Sequence, residues 1–312
     1  MRNNPFQISP IEQISFKNKK IFIKRDDLLS DDFSGNKARK LYFYLINDFP
    51  NIKKVISYGS VQSNAMYSLS VLCKKRNWKF DYLVNHIPSY LQENPEGNYK
   101  YALENGMNLI IGENISEVMA SASPKAGAKA PVPNLERTLI DNDTLIIQEG
   151  GRDLEAKVGI DILASEIVEW KNKNNFSNLK VILPSGTGTT ALFLSKALTK
   201  ENIKVYTIPC VGDKEYLLEQ FKMLEENSKY YPEILLLDKK YHFGKLYKNN
   251  YEIWLELKEK SKIEFDLLYD PKGWLVIEKY SDIFNEETLY IHQGGLIGNE
   301  SMIKRYERKY KF

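Results

Sequence analysis

Residues 179–198 read LKVILPSGTGTTALFLSKAL and contain three successive elements. The apolar run 179–183 predicts a buried strand, the small residues 184–190 predict a tight turn, and the run from Ala191 predicts a helix. Such a turn lets backbone N–H groups and hydroxyls converge at a helix N-terminus, where the helix dipole also favours an anion. This stretch therefore predicts an α/β fold with a phosphate site.

Two known phosphate motifs can be compared with this turn. A P-loop ends in Gly-Lys-Ser/Thr, and no lysine follows here. Residues 186–191 match the relaxed dinucleotide fingerprint G-x-G-x-x-A, which is typical of nicotinamide oxidoreductases. That fingerprint should be followed by an acidic residue about 20 positions on, at the end of the next strand. The next strand candidate ends at 207–210 and the first acid, Asp213, follows a glycine, so the adenosine half of such a site is not evident. On the fingerprint, an NAD enzyme stays an open alternative.

Short runs rich in β-branched and apolar residues alternate with longer runs of helical period along the chain. This alternation is typical of parallel βαβ units. The helix candidate 154–170 carries its apolar stripe at Val158, Ile162, Leu163, Ile167 and Trp170. The other strand candidates are 21–27, 54–58, 80–84, 108–111, 144–148, 204–208, 234–237 and 288–292. The other helix candidates are 38–44, 64–75, 191–198 and 215–226.

The composition favours a cytoplasmic protein without nucleic-acid or membrane partners. The 312 residues are enough for a substantial core. The 44 basic and 41 acidic residues leave a net charge of +3, with the lysines spread along the chain. No stretch approaches the ~20 apolar residues of a membrane span, and no secretory leader opens the chain. Because Cys73, Cys210 and the three histidines lack ligand spacing, no metal site and no disulfide are expected.

A second glycine turn, Ser34-Gly35-Asn36-Lys37, links the strand candidate 21–27 to a helix candidate. A lysine near a helix start is usually a solvated surface residue. Here Arg39 and Lys40 lie close in sequence, and like charge together with burial would lower the pKa of Lys37. Schiff-base chemistry requires a neutral amine, so Lys37 is the candidate for the centre of the chemistry.

A third turn, Tyr58-Gly59-Ser60-Val61-Gln62-Ser63-Asn64, again lies between a strand candidate and a helix candidate. Its hydroxyls, carboxamides and helix-start N–H groups suit a carboxylate or a ring oxygen. Ser63 or Asn64 could equally be an ordinary N-cap that holds the first turn of the helix. Taken alone, the sequence of this turn favours the N-cap interpretation over ligand binding.

Several stretches in order resemble one enzyme family. Lys24-Arg25-Asp26-Asp27, then 34–40 and 59–64, are similar to motifs of 1-aminocyclopropane-1-carboxylate deaminases and D-cysteine desulfhydrases, which are pyridoxal-phosphate enzymes of the tryptophan-synthase-β fold. The resemblance spans nearly the whole chain. Its later landmarks are Gln148-Glu149-Gly150-Gly151, 185–190, Tyr269-Asp270-Pro271-Lys272 and Ile291-His292-Gln293-Gly294-Gly295.

The resemblance implies a two-domain α/β protein with open twisted sheets in three layers, pyridoxal-phosphate fold type II. The larger, cofactor-binding domain would contain residues 1–42 and 143–312, and the smaller domain residues 43–142. The active site would lie in the cleft between them, and the family suggests a homodimer. Residues 120–133 are small and proline-bearing, which predicts a mobile surface loop.

The resemblance also implies which residues hold pyridoxal 5'-phosphate. Lys37 would bind the cofactor covalently and, once displaced by substrate, would become the proton-transfer base. The cofactor would be the electron sink, while the protein supplies orientation and proton transfer. Asn36 and Lys40 would assist the loop residues in holding the cofactor phosphate. Those loop residues are Ser185, Gly186, Thr187, Gly188, Thr189 and Thr190.

On the substrate side, the resemblance points to the third turn and to the 269–272 motif. Asn64 would hydrogen-bond the ring oxygen, while Ser63 and neighbouring N–H groups would bind the substrate carboxylate. Tyr269 would act at the substrate, and Asp270 would meet the pyridine nitrogen. Phe243 aligns with a second active-site tyrosine of the deaminases and lacks its hydroxyl.

The identity of the substrate depends on few positions. Asp270 favours the deaminases, which have glutamate there, over the desulfhydrases, which have a small hydroxyl residue. An aspartate ahead of Pro271 is also common for local reasons, and Gln293 departs from the family near the ring. We expect a deaminase or lyase acting on a small amino acid, with release of an α-keto acid and ammonia. A D-cysteine desulfhydrase or related D-amino-acid lyase, and a non-catalytic cofactor-binding protein, are the alternatives.

Overall fold

The computed structural model describes residues 6–33, 35–112, 143–284 and 286–310, and the predicted loop 120–133 lies outside these ranges. The strands are β1 Ile11–Phe16, β2 Lys19–Arg25, β3 Lys54–Tyr58, β4 Lys79–Val84, β5 Met107–Ile111, β6 Thr144–Ile146, β7 Lys180–Ser185, β8 Lys204–Pro209, β9 Glu233–Ile234 and β10 Thr288–His292. The helices are α1 Asn36–Ile46, α2 Asn64–Arg76, α3 Ser89–Glu93, α4 Gly97–Glu104, α5 Ala156–Lys173, α6 Thr189–Leu198, α7 Lys214–Leu224, α8 Lys248–Ser261, α9 Asp270–Lys279 and α10 Asn299–Tyr310.

The strands form two sheets. The larger has the order β1-β2-β10-β7-β8-β9, and the smaller has the order β5-β4-β3-β6. The pairs are parallel apart from the antiparallel hairpin of β1 and β2. Parallel neighbours need crossover connections, which here contain the helices. The parallel α/β organisation predicted from the sequence is confirmed.

Strand β1 has no counterpart among the predicted strands, and its turn explains why. The hairpin turns at Lys17 and Asn18, whose φ angles are 46° and 61°. Two-residue hairpin turns with both residues at positive φ usually carry Asn-Gly or Asp-Gly. Because a lysine occupies the first of these positions, the sequence lacks the usual hairpin signature.

Helices cover both faces of the larger sheet. Alternate residues of β10 show this arrangement, because Tyr290 enters one apolar cluster while Leu289 and Ile291 enter another. The first cluster includes α8 and α9, and the second includes α5 and α6. A third cluster joins α1 and α2 to the smaller sheet. With both faces covered, polar side chains concentrate at the strand ends.

The buried face of α5 differs from the predicted apolar stripe. Val158 and Ile162 are only half-buried, whereas the small residue Gly159 is buried. A Cβ on Gly159 would lie 2.0 Å from the carbonyl oxygen of Arg39, so the glycine allows the backbones of α5 and α1 to approach closely. The residues that α5 buries are Ala156, Gly159, Ile160, Leu163, Ala164 and Ile167.

Sheet membership would move the domain boundaries predicted from the sequence. Strand β6 pairs with β3 in the smaller sheet, so a boundary drawn by sheet falls after Ile146 rather than at 142. The boundary at 42 falls within α1, which contacts both α5 and α2. The division into domains stays a prediction. In the described ranges, no helix combines the length and apolar character needed to cross a bilayer.

Candidate active site

A cavity of about 430 Å³ opens where the carboxyl ends of the parallel strands meet. Its lining follows β2, β3, β6, β7, β8 and β10 in the chain. The cavity brings together the site residues predicted from the sequence, whose individual roles stay predictions. These are Asn36, Lys37, Lys40, Ser63, Asn64, Ser185, Gly186, Thr187, Gly188, Thr189, Thr190, Phe243, Tyr269 and Asp270.

The lysine turn is built directly against the segment that follows β10. Gly35 has φ 36°, and a Cβ there would lie 1.9 Å from the carbonyl oxygen of Gln293. The backbone N–H of Asn36 donates to that same oxygen at 2.8 Å. Lys37 Nζ donates to Asn36 Oδ1 at 3.0 Å. Lys37 therefore lies in the first turn of a helix, as predicted, with its amine at the cavity.

Burial lowers the pKa of Lys37 to about 8, and attraction to Asp266 partly opposes that shift. The predicted direction is therefore confirmed, but repulsion from Arg39 and Lys40, which was also predicted, is not among the causes of the shift. Arg39 forms ion pairs with Asp26 at 2.8 Å and with Glu166 at 2.7 Å. These two carboxylates balance its positive charge. Desolvation, rather than repulsion from Arg39, favours the neutral amine.

The phosphate loop joins β7 to α6 as predicted. Gly188, the N-cap of α6, has φ 70°, and a Cβ there would lie 2.4 Å from the ring of Phe221. Thr190 Oγ1 is buried and has no hydrogen-bond partner among the described residues. A buried hydroxyl without a partner is costly, so this helix start is suited to an anion that accepts its hydrogen bond.

Lys40 is a second group at the cavity that is suited to an anion. It is buried, and its Nζ donates to the carbonyl oxygen of Gly150 at 3.0 Å. Burial and repulsion from Lys37 hold its pKa well below the usual value. An anion in the cavity would offset that desolvation. Ser185 differs from the other loop residues, because its hydroxyl shares a 2.6 Å hydrogen bond with Thr207.

The third turn contains the predicted N-cap and also lines the cavity, while binding of a carboxylate or a ring oxygen there stays a prediction. Ser63 is the N-cap of α2, and its Oγ accepts from the N–H of Ala65 at 3.1 Å. Ser63 and Asn64 also line the cavity. Asn64 Oδ1 accepts from Asn98 Nδ2 at 2.7 Å, so the amide group of Asn64 turns its NH₂ toward Asp266.

Asp266 is a cavity residue that the sequence motifs do not indicate. Its Oδ1 accepts from the N–H groups of Leu268 at 2.8 Å and Tyr269 at 2.7 Å, and Asn64 donates to its carboxylate. Burial raises its pKa to about 6, although Lys37 favours the charged form. An aspartate that accepts from the next N–H groups is ordinary turn chemistry in sequence. Only the fold places it beside Lys37 and Asn64.

Tyr269, Asp270 and Phe243 meet at one wall of the cavity. The rings of Phe243 and Tyr269 pack with centroids 5.3 Å apart. Asp270 accepts from the Tyr290 hydroxyl at 2.5 Å and from the N–H of Asp266 at 2.8 Å. Burial and the nearby Asp266 hold the pKa of Asp270 well above its usual value. This environment therefore disfavours the charged form of Asp270 relative to an exposed aspartate, and a nearby cation would oppose that effect.

Gln293 links the lysine turn to the phosphate loop. Its Nε2 donates to the carbonyl oxygen of Pro184 at 2.6 Å, and its Oε1 accepts from Asn36 Nδ2 at 2.7 Å. The neighbouring His292 is a buried core residue outside the cavity lining. Its Nδ1 accepts from the N–H of Gly294 at 3.1 Å, and its Nε2 lies 2.7 Å from the carbonyl oxygen of Glu264, which requires the neutral ring.

The acid that a dinucleotide site would need has another role. Asp213 is the N-cap of α7, and its Oδ1 accepts from the N–H of Tyr216 at 3.0 Å. Asp213 does not line the cavity. Its position therefore gives the nicotinamide alternative no support.

We expect Asp266→Asn to lower the pKa of Lys37 below about 8, because the carboxylate attracts the ammonium form. Reductive methylation of Lys37 with formaldehyde, followed across pH by peptide mass spectrometry, measures the midpoint. Asp153→Asn is the matched control, because Asp153 is a buried acid whose charge acts on Lys40 instead. A midpoint that rises in Asp266→Asn, or moves equally in both variants, would contradict this electrostatic role.

No family model matches the chain, but curated proteins are similar to it along most of its length. A protein of Pyrococcus furiosus named "Putative 1-aminocyclopropane-1-carboxylate deaminase" is 26% identical over 294 residues, which cover 89% of this chain and 85% of that protein. A D-cysteine desulfhydrase of Serratia proteamaculans is 26% identical over 202 residues, covering 61% of this chain and 57% of the relative.

Solved structures establish the fold. A structure described as an ACC deaminase homologue has a TM-score of 0.73 and 20% identity, covering 97% of this chain and 94% of that one. A pyridoxal 5'-phosphate-dependent aspartate racemase has a TM-score of 0.59 and 12% identity, covering 93% and 91%. The chain therefore has the fold of these proteins, and the predicted resemblance to 1-aminocyclopropane-1-carboxylate deaminases and D-cysteine desulfhydrases is confirmed.

Proposed function

We propose that this chain is a pyridoxal-phosphate-dependent deaminase or lyase that acts on a small amino acid and releases an α-keto acid and ammonia. The observation that carries the proposal is Lys37, a half-buried amine with a pKa of about 8 in the same cavity as the loop 185–190. The names of the curated relatives support the reaction class. A D-cysteine desulfhydrase or related D-amino-acid lyase is the alternative within this class.

The cavity offers groups for each part of the cofactor. Thr190, Lys40 and the N–H groups at the start of α6 would hold the phosphate, and Lys37 would bind the aldehyde carbon. Asn64 would donate to the ring oxygen, and Asp270 would face the ring nitrogen. When bound, the cofactor supplies an electron sink for the bonds at the substrate α-carbon.

The chain's own residues would position the substrate and move its proton. Ser63 and the first N–H groups of α2 would hold the α-carboxylate. The Lys37 amine, once free, would take the proton from the α-carbon, and its pKa of about 8 is close to the value that suits a base near neutral pH. Tyr269, beside Phe243, would contact the substrate side chain.

Two finer assignments accompany the proposal. We propose a cytoplasmic location, which fits the free, buried state of Cys73 and Cys210. We also propose a homodimer, which the family resemblance suggests. Gel filtration with light scattering measures the second of these.

The proposal is tested by incubating the protein with pyridoxal 5'-phosphate, reducing it with borohydride and mapping the labelled peptide. We expect one dominant label, on Lys37, whose formation rate rises with pH and levels off above about 8. At pH 7 the neutral fraction of this amine should exceed that of an ordinary lysine by roughly 300-fold. Labelling spread over surface lysines, with Lys37 unmodified, would overturn the proposal.

A substrate screen then distinguishes the reactions. Keto-acid release from 1-aminocyclopropane-1-carboxylate, D-cysteine, D-serine and L-amino acids should separate a deaminase from a desulfhydrase. A labelled protein that releases no keto acid from any of them would favour the non-catalytic alternative.

A further inference from the structure

Arg305, on α10, lines the same cavity as Lys37 and has no part in the functions assigned so far. Among the described residues of the cavity lining, three side chains are cationic: Lys37, Lys40 and Arg305. The proposed function uses the first two, for the cofactor aldehyde and the cofactor phosphate. Arg305 is half-buried, so its guanidinium is a third cationic group available to a ligand in the cavity.

The contacts of Arg305 fix its position and leave its charge unbalanced. Its Nη2 donates to the carbonyl oxygen of Gly244 at 2.9 Å, and its Nη1 lies 3.1 Å from Met302 Sδ. Among the described residues, no carboxylate lies within ion-pair distance of its guanidinium. Arg25 and Arg39, by contrast, each pair with two carboxylates. Arg305 therefore keeps N–H donors for a ligand.

On the side of the cavity formed by α10, the acidic side chain among the described lining residues is already paired. Glu96, an acidic residue of the lining, pairs with Lys304 at 2.7 Å. Ser301 and Gln62 line the same side and are neutral, and Gln62 Nε2 donates to Ser301 Oγ at 3.3 Å. With Lys304 and Arg305 against Glu96, the local charge is positive. This side of the cavity therefore favours an anion.

Arg305 also lies next to the wall assigned to the substrate. The Gly244 carbonyl that it binds directly follows Phe243, whose ring packs against Tyr269. The substrate α-carboxylate has other donors, at Ser63 and the start of α2. An anionic group that reaches Arg305 is therefore a second one, on the substrate side chain.

We propose that Arg305 binds an anionic side-chain group of the substrate, so that the preferred substrates are amino acids with a carboxylate, sulfonate or similar acidic side chain. This inference rests on the proposed function. A guanidinium can bind a planar carboxylate through two parallel hydrogen bonds, which gives both affinity and orientation.

Calorimetric titration of the cofactor-loaded protein tests the proposal with ligands that do not react. Succinate carries two carboxylates, and succinamate replaces one of them by a neutral amide of the same shape. We expect succinate to bind at least about tenfold more tightly, and Arg305→Gln to remove most of that preference. Arg305→Lys keeps the positive charge but loses the paired N–H donors of the guanidinium, so this variant should retain part of the preference for succinate.

Lys309→Gln is the matched control, because it removes one positive charge from the exposed side of the same helix. It should leave both affinities within about twofold, since exposed charges are largely screened. The same titrations with two further acid and amide pairs then show which side-chain length reaches Arg305. The pairs are aspartate with asparagine and glutamate with glutamine, each in both configurations.

Two outcomes would overturn the proposal. Equal affinity for succinate and succinamate would mean that no second anion site exists. An equal loss for both ligands in Arg305→Gln and Arg305→Lys would mean that Arg305 only holds the 243–244 segment in place. Failure of the proposed function is read separately, from the absence of a pyridoxyl label on Lys37 in the same preparation.

Discussion

Replacing Lys37 by alanine is expected to abolish covalent cofactor binding and to reduce keto-acid release by at least about 10³-fold. The variant removes both the amine that binds the aldehyde and the base that takes the α-proton. The cavity and phosphate loop should still bind the cofactor without a covalent bond, because Thr190 and Lys40 stay in place. Steady-state keto-acid assays and borohydride labelling measure the two losses.

Rescue by a small amine tests whether the lost activity of Lys37→Ala is due to the missing amine. Added methylamine should restore part of the activity of Lys37→Ala, because it can occupy the space left by the lysine and accept a proton. Lys40→Ala is the matched variant, and it should weaken cofactor affinity while the label on Lys37 remains. Unchanged turnover in Lys37→Ala would exclude this lysine as the catalytic base.

The three turns were predictable from the sequence as separate elements, whereas their convergence was an implication of the family resemblance. The third turn directly follows β3 and the phosphate loop begins at the end of β7, whereas the lysine turn comes several residues after the end of β2. In parallel sheets these ends meet along one edge, where ligands bind. Local patterns therefore predicted the elements, and the family resemblance predicted their meeting point.

Asp266 and Arg305 could not be found in the same way. Asp266 lies in the connection between α8 and α9, and Arg305 lies inside the amphipathic helix α10, where a charged residue is ordinary. Neither has a spacing that points to chemistry. The packing of distant segments places them on the cavity, which is a tertiary property.

The pKa of Lys37 shows the same division between local and tertiary effects. Adjacent charge in the sequence suggested repulsion from Arg39, but the ion pairs with Asp26 and Glu166 balance that residue. The direction of the shift followed correctly from burial, whereas the opposing charge of Asp266 depended on the fold. Sequence neighbours of a lysine are thus a poor guide to its electrostatic surroundings.

Gly159→Ala is expected to destabilise the protein by about 1–3 kcal/mol, although alanine is the better helix former by ~1 kcal/mol. Its Cβ would lie 2.0 Å from the Arg39 carbonyl oxygen and 2.8 Å from Tyr42 Cβ. The clash is with backbone, so a rotamer change cannot relieve it, and α5 and α1 must move apart. Urea unfolding followed by circular dichroism measures the loss.

Ser165→Ala, on the exposed face of the same helix, is the matched control and should change stability by less than about 0.5 kcal/mol. Because α1 carries Lys37, displacement of α1 should also slow borohydride-trapped labelling of that lysine at conditions where the variant is still folded. If Gly159→Ala instead raised stability by the ~1 kcal/mol of its helix propensity, the two helices could not be in backbone contact at this position. Lys37 would then owe its placement mainly to the contact between Gly35 and Gln293.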